Sequence, residues 1–251
     1  MDSEEITVPP LFSTEEVNTE FSWVQLPVVD HIGLMARAGG FRGLILDWEH
    51  GSFTESDLKN VSSAIEAQGL ITGVRLPAID RYFCSKAVDL GFSLILAPYC
   101  NDKYIAQKFV DWCKYPPEGS KGVGYCFGTK FGAGIDVVLE GNHESCLVGM
   151  IETEMGVNSI SEICGVSGVD AIFVGPYDLS CSLGCPGDFT NPLFKSALEE
   201  LISACKSNSK PIGMHCVSGK SADVRSLIDC GFNFVVRGMD TSFLEMGLRL
   251  E

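Results

Sequence analysis

Short apolar segments alternate along the chain with longer segments in which apolar residues recur at helical spacing. The apolar segments are rich in valine, isoleucine and leucine and number eight: 22–27, 43–50, 71–77, 93–100, 146–153, 171–178, 211–216 and 232–240. Seven of them are followed by a stretch with helical spacing, such as 55–69 or 192–208, and the last helix is short. Continuous apolar strands separated by amphipathic helices are typical of a parallel sheet that is buried on both faces.

Eight strand–helix units in 251 residues predict the α/β class and, within it, a closed (β/α)8 TIM barrel. An open, doubly wound sheet is the competing arrangement, but no GxGxxG motif follows the first strand. We expect one barrel domain over residues 21–251, preceded by a tail, 1–20, that lacks periodicity. A glycine-rich excursion, 114–145, separates the fourth and fifth strands. This excursion is either a surface loop or a cover for a barrel mouth or a neighbouring subunit.

Composition narrows the classes of partner. The net charge is −15, from 33 acidic and 18 basic side chains, which disfavours nucleic acids and anionic membrane surfaces. The 11 cysteines are scattered, odd in number and without zinc-type spacing, so we expect buried thiols rather than disulfides. No apolar stretch is long enough for a membrane helix, and the N-terminus is acidic, unlike a signal peptide. A cytoplasmic location is therefore expected.

Catalytic residues of TIM barrels lie at the carboxyl ends of the strands. The polar residues at the predicted ends are Asp47, Glu49, His50, Arg75, Glu152, Asp178, His215, Arg237 and Asp240. Glu152 and Asp178 end two successive predicted strands, and neighbouring parallel strands lie about 4.8 Å apart. Two such carboxylates can share one divalent cation, and their oxygen atoms suit Mg²⁺ or Mn²⁺ better than a structural zinc.

A cation with only two protein ligands keeps open positions for a chelating 2-oxo acid, whose enolate it can stabilise as a Lewis acid. Arg75 could bind a carboxylate or hold an enolate oxygen, or it could pair with Asp47 or Glu49 at the barrel rim. His50 could transfer protons near neutral pH, or it could be a hydrogen-bonded structural residue. Asp178 could instead cap a short helical turn.

Five motifs occur in the order found in one family. They are LDWEHG (46–51), GVRLP (73–77), KYPPEGSKGVG (114–124), GPYDLSCSLG (175–184) and FVVRGMDT (234–241). Residues 28–242 thereby resemble the HpcH/HpaI aldolases. The resemblance implies a metal-dependent class II aldolase, using Mg²⁺, Mn²⁺ or Co²⁺, that splits a 4-hydroxy-2-oxo acid into pyruvate and an aldehyde, or joins them, through a metal-bound pyruvate enolate. It also implies a homohexamer, a trimer of dimers, whose barrels exchange their last helices.

The resemblance further implies roles for individual residues. His50 matches the proton-transferring histidine, and Asp89 matches the acid that raises the basicity of that histidine. Arg75 matches the arginine that stabilises the enolate. Glu152 and Asp178 match the metal ligands.

The residues that face the substrate depart from the family pattern. The backbone around Tyr177 and Asp178 matches the pocket for the pyruvate carboxylate, but Tyr177 stands where the family has a small residue. Met150 replaces a usual glutamine, and Arg237 adds a cation at the end of the eighth strand. We therefore expect pyruvate enolate chemistry with an altered acceptor or substrate.

Two alternatives to an ordinary aldolase stay open. One is a biosynthetic enzyme similar to macrophomate synthase, which would decarboxylate oxaloacetate and add the enolate to an unsaturated acceptor. The other is a catalytically silent barrel used for binding.

Overall fold

Eight parallel strands form a closed barrel in chain order, each strand pairing with the next and the last with the first. The computed structural model describes residue 12 and residues 19–27, 31–139 and 145–249. The strands are β1 Thr19–Val24, β2 Gly43–Asp47, β3 Ile71–Arg75, β4 Leu94–Ala97, β5 Cys146–Ile151, β6 Ala171–Val174, β7 Ile212–Cys216 and β8 Phe234–Met239. The TIM-barrel prediction is confirmed. Most of the predicted tail lies outside the described residues.

Helices connect the strands on the outside of the barrel. Their bounds are α1 Ile32–Ala38, α2 Glu55–Glu66, α3 Arg81–Asp89, α4 Lys103–Cys113, α5 Ile135–Leu139, α6 Glu154–Asn158, α7 Ile160–Cys164, α8 Pro176–Ser182, α9 Pro192–Ser207, α10 Ser221–Cys230 and α11 Asp240–Leu248. Helix α2 begins at a capping box, in which Thr54 Oγ1 accepts the Asp57 N–H and the Asp57 carboxylate accepts the Thr54 N–H. Asn191 caps α9 and Pro192 is its first residue, which places the helix start where the sequence predicts it.

Aromatic side chains fill the lower half of the barrel interior. The rings of Phe173 and Phe234 stack with centroids 5.9 Å apart, and Phe12 stacks on Phe234 at 4.0 Å. Gly213 makes room for them, because a Cβ at that position would lie 2.2 Å from the Phe234 ring. Phe234 begins β8, so this aromatic cluster closes the amino-terminal end of the barrel and leaves the carboxyl end open.

The glycine-rich excursion packs against the amino-terminal end of the barrel. Gly128 N–H donates to the Asp89 carbonyl oxygen at the end of α3, and Lys121 Nζ lies 2.5 Å from the Asp89 carboxylate. Phe127 packs against Gly91. The described part of the excursion therefore does not cover the mouth of its own barrel.

All 11 cysteines are free thiols. No helix within the described ranges is long and apolar enough to cross a membrane.

Candidate active site

A cavity of about 260 Å³ lies at the carboxyl ends of the strands. Six of the seven predicted site residues line it: His50, Arg75, Met150, Glu152, Tyr177 and Asp178. They come from β2–β3, from β5 and from the segment that follows β6, which are far apart in sequence. The topology of the barrel brings them together, because all parallel strands point their carboxyl ends to the same face.

Glu152 follows the last residue of β5 and is 2% exposed. Its Oε2 accepts the Tyr99 backbone N–H at 2.9 Å. Burial raises the pKa of Glu152 to about 7, and the charges of Asp178 and Glu49 add to this effect, while the Tyr99 hydrogen bond and Arg75 oppose it. The carboxylate therefore lies in a site that favours either a proton or a cation.

Gly175 makes space for the Glu152 carboxylate. A Cβ on Gly175 would lie 2.5 Å from Glu152 Oε1, which is closer than two such atoms approach. Any side chain at this position would have to displace Glu152. The glycine therefore sets the position of the carboxylate.

Asp178 lies in a helix and not at a strand end, which corrects the sequence prediction. Strand β6 ends at Val174, and Pro176 begins α8 because its fixed φ suits the first helical position. Asp178 is the third residue of α8, whose N-cap is Gly175, so Asp178 does not cap the helix. Its carboxylate lines the cavity and acts electrostatically on Glu152.

The acidic residues around the cavity suit a divalent cation. Among the described residues, no group of three or more His, Cys, Asp or Glu side chains is arranged to hold a metal ion. The two predicted ligands, Glu152 and Asp178, both line the cavity. Glu49 adds a third negative charge near them. Carboxylate oxygens with open coordination positions are typical of Mg²⁺ sites, in which water and substrate complete the shell. The donor set thus fits the metal that the resemblance implies.

Arg75 is held by two acids. Its Nε and Nη2 lie 2.9 and 2.7 Å from the two oxygens of Asp47, and Nη1 lies 3.2 Å from Glu49 Oε2. Burial alone would raise the pKa of Asp47, but the pairing outweighs it and lowers that pKa, and it raises the pKa of Arg75. The guanidinium also lies over the Trp23 ring, 4.9 Å from its centroid. The rim ion pair is confirmed. Arg75 also lines the cavity, and its contact with a carboxylate or an enolate oxygen stays a prediction.

His50 is exposed and follows β2 in a turn. Its backbone N–H donates to Asp47 Oδ1 at 3.1 Å, and its Nε2 lies 3.9 Å from Glu49 Oε2. Burial raises the pKa of Glu49, against the charges of Arg75 and His50. Within the chain, the acid beside the imidazole is thus Glu49.

Asp89 is the one predicted site residue that lies elsewhere. It ends α3, which runs from the carboxyl end of β3 to the amino-terminal end of β4, and its carboxylate pairs with Lys121. Asp89 and His50 therefore lie at opposite ends of the same barrel. Within one chain they do not meet, so the role that the resemblance implies for Asp89 is not fulfilled there.

Of the three other residues that the sequence predicts to face the substrate, two line the cavity and one lies outside it. Met150 is 1% exposed and forms part of the apolar inner wall of the cavity. Tyr177 is 51% exposed and packs edge-on against Phe189 at the cavity rim. Arg237 adds no cation to the cavity, because its guanidinium donates to the Gly219 carbonyl and pairs with Glu20.

Several lining residues received no role from the sequence: Trp23, Gln25, Phe173, His215 and Met239. His215 appears among the polar strand ends, where it was given no function. Alternation along the first strand could have indicated Trp23, whose neighbours Ser22 and Val24 point the other way. The remaining positions depend on contacts between strands, which a single sequence does not show.

Comparisons with known proteins agree with this geometry. The model of a family described as HpcH/HpaI aldolase/citrate lyase matches residues 35–245. A 5-keto-4-deoxy-D-glucarate aldolase of Escherichia fergusonii is 31% identical over 209 residues, which are 83% of this chain and 81% of that protein. A hydroxypyruvate/pyruvate aldolase of Roseobacter denitrificans is 30% identical over 207 residues, 82% of this chain and 80% of that protein.

A solved structure shows the same architecture over nearly the whole length. The crystal structure of an HpcH/HpaI aldolase/citrate lyase family protein from Burkholderia cenocepacia superposes with a TM-score of 0.85 at 27% identity, covering 91% of each chain. The family match spans most of the barrel, and aldolases are similar in sequence over the same region. The chain therefore belongs to the HpcH/HpaI aldolase/citrate lyase family and is a carbon–carbon lyase.

Proposed function

We propose that the chain is a metal-dependent class II aldolase that cleaves or forms a carbon–carbon bond of a 2-oxo acid, with pyruvate as one product. The observation that carries this proposal is the buried Glu152 carboxylate, which shares one cavity with Asp178 and Arg75. The names of the relatives support it, since one is an aldolase of a keto-deoxy sugar acid and the other an aldolase of pyruvate.

Glu152 and Asp178 would hold the divalent cation, for which Mg²⁺, Mn²⁺ and Co²⁺ are the candidates. When bound, it supplies Lewis-acid polarisation of the 2-oxo group. Arg75 remains charged through its pair with Asp47 and stabilises negative charge that develops on the 2-oxo oxygen as the bond breaks. Because Asp47 fixes the guanidinium in place, little reorganisation is needed during the reaction.

His50 would move the proton. In the cleavage direction it takes the proton from the 4-hydroxyl oxygen, the C3–C4 bond breaks to release the aldehyde, and the electron pair passes into the pyruvate enolate. C3 then accepts a proton to give pyruvate. Glu49 Oε2, 3.9 Å from His50 Nε2, is placed to stabilise the imidazolium formed in the first step.

Metal binding and turnover test the proposal separately. Loss of the free Mn²⁺ signal in electron paramagnetic resonance measures binding without requiring a substrate. Pyruvate release from oxaloacetate and from 4-hydroxy-2-oxo acids, with and without Mg²⁺ or Mn²⁺, measures turnover. Glu152→Gln is expected to weaken Mn²⁺ binding at least tenfold and to abolish metal-dependent pyruvate release.

Glu154→Gln is the matched control, because Glu154 is two residues away and exposed. It should bind Mn²⁺ and release pyruvate as the wild type does. A wild-type protein that neither binds Mn²⁺ nor turns over any 2-oxo acid would refute the proposal.

A second candidate reaction uses the same residues, Glu152, Asp178 and Arg75. Decarboxylation of oxaloacetate gives the same enolate, which could add to an unsaturated acceptor. The apolar Met150 in the cavity wall favours such an acceptor. A product screen with aldehydes and with unsaturated electrophiles separates the two reactions.

We also propose that six copies of the chain form a homohexamer in which neighbouring barrels exchange their last helix, α11. No residue of α11 is buried against its own barrel, and Leu244, Met246 and Leu248 are more than half exposed. Light scattering of the purified protein would give six chains per particle, and a monomer would contradict the proposal.

A further inference from the structure

His215 lies inside the barrel and has no part in the chemistry described above. Side chains alternate along β7, so His215 shares a face with Gly213. Gly213 faces the interior, where the Phe234 ring occupies the space that a Cβ would need. Met214 lies between them and packs in the outer layer, against the helices. Strand β7 therefore contributes one polar side chain, His215, to the inner wall.

The imidazole of His215 packs among aromatic and cationic neighbours. Its ring lies edge-to-face with Trp23, with centroids 6.3 Å apart and planes at 85°. Arg75 lies over the same Trp23 ring. Burial and the Arg75 charge lower the pKa of His215 to about 4, so the imidazole is neutral near pH 7. A neutral imidazole donates one hydrogen bond and accepts one.

The Nε2 atom of His215 is buried without a hydrogen-bond partner among the described residues. Buried polar side-chain atoms in proteins nearly always have a partner, which is protein, ordered water or a ligand. His215 lines the cavity that holds Glu152 and Asp178. The ring lines the cavity while Nε2 itself is covered by neighbouring protein atoms, so a ligand in that cavity can become its partner once the imidazole turns about its Cβ–Cγ bond.

The cavity has a second side that the 2-oxo acid chemistry leaves unused. The residues assigned to that chemistry come from β2, β3, β5 and α8, whereas β7, β8 and β1 close the other side of the barrel. From these strands His215, Met239 and Trp23 line the cavity. This side is largely apolar, and its polar groups are the imidazole and the amide of Gln25, which already donates to Asp47 and accepts from Thr241.

We propose that His215 determines acceptor specificity: its Nε2 hydrogen-bonds an uncharged hydroxyl group on the aldehyde half of the substrate. The apolar neighbours Trp23 and Met239 pack against the carbon chain of that half. A hydroxyaldehyde therefore fits this side better than an alkyl aldehyde of the same size. The inference rests on the proposed aldolase function and names the class of aldehyde that this function would use.

Glycolaldehyde and propanal test the inference, because they differ in a hydroxyl against a methyl group. Each is added to pyruvate: C3 of pyruvate loses a proton and bonds to the aldehyde carbon, and the aldehyde oxygen gains a proton. The readout is the ratio of kcat/KM for the two aldehydes. Both aldehydes react with the same pyruvate enolate. A change in metal binding, in enolate formation or in the amount of folded protein therefore cancels in the ratio of the two kcat/KM values.

The wild type is expected to favour glycolaldehyde by about tenfold to a hundredfold. His215→Leu should bring the ratio close to one, because it fills similar space without a polar atom. His215→Gln should restore part of the preference and serves as the second variant if the leucine protein does not fold. Met214→Leu, on the outer face of the same strand, is the control and should keep the wild-type ratio.

A wild-type ratio near one, or a His215→Leu protein that keeps the wild-type ratio, would overturn the inference. If oxaloacetate still yields pyruvate in a metal-dependent reaction, the aldolase proposal survives that result. If no 2-oxo acid turns over, the aldolase proposal fails and the role of His215 fails with it.

Discussion

Acid is expected to destabilise the barrel through His215. Burial and the Arg75 charge lower the pKa of this histidine from its usual 6.5 to about 4 in the folded protein. Between these two values the unfolded chain binds a proton that the native protein does not, so stability falls as the pH falls. The stabilising contribution is complete above pH 6.5 and lost below pH 4. It amounts to about 3 kcal/mol in all, of which about 2 kcal/mol is lost between pH 7 and pH 4.5.

Urea unfolding of the wild type and His215→Leu at both pH values measures this contribution. Circular dichroism follows the transition, and a chelator in the buffer prevents bound metal from adding its own pH dependence. The variant should lose about 2 kcal/mol less than the wild type on acidification, because carboxylates that also respond to acid are common to both proteins. His31→Gln removes an exposed histidine instead and should behave as the wild type does. Equal acid sensitivity of the wild type and His215→Leu would refute the reasoning.

Two further substitutions test how the site is held. Gly175→Ala is expected to destabilise the protein by about 1–3 kcal/mol and to weaken Mn²⁺ binding, because its Cβ would lie 2.5 Å from Glu152 Oε1. Urea unfolding measures the loss of stability, and paramagnetic resonance measures the Mn²⁺ affinity. An unchanged Mn²⁺ affinity would contradict the prediction. Asp47→Asn is expected to cost about 1.5–3 kcal/mol in unfolding free energy, because Arg75 loses its doubly hydrogen-bonded charged partner and keeps only Glu49. Glu245→Gln, which breaks an exposed pair, should scarcely change the urea midpoint, and an equally small effect of Asp47→Asn would contradict the prediction.

The sequence predicts the strands well and their ends less well. Buried parallel strands are continuous apolar runs, so all eight are found at the predicted places. The predicted ends run too far where a turn follows directly. Strand β2 ends at Asp47, whose carboxylate accepts the His50 N–H and so fixes a turn. Strand β1 begins three residues early, at Thr19, because pairing with Phe234 of β8 extends it into a stretch with no apolar pattern.

Most members of the candidate site are predicted from the sequence, with Asp89 and Arg237 as the exceptions, and of its pairings only the ion pair of Arg75 is predicted. Closure of the barrel is sufficient to bring Glu152, Asp178, Arg75 and His50 to one face, so their chemistry can be inferred from position alone. Which acid faces which base depends on distances across the barrel. Asp89 shows the difference: the resemblance implies a role beside His50, while the fold places Asp89 at the opposite end of the barrel, paired with Lys121.

His215 is a residue whose place in the site the sequence does not predict. The pattern IGMHC fixes an alternation in β7 but not which of its two faces is the interior. The contact between Gly213 and the Phe234 ring decides this, and it joins residues from two different strands. The neutrality of the His215 imidazole likewise depends on other strands, because it comes from burial beside Trp23 and from the charge of Arg75 across the barrel. A polar residue at a strand end is thus visible in the sequence, whereas an unpartnered imidazole facing a substrate cavity emerges only when the strands are closed into a barrel.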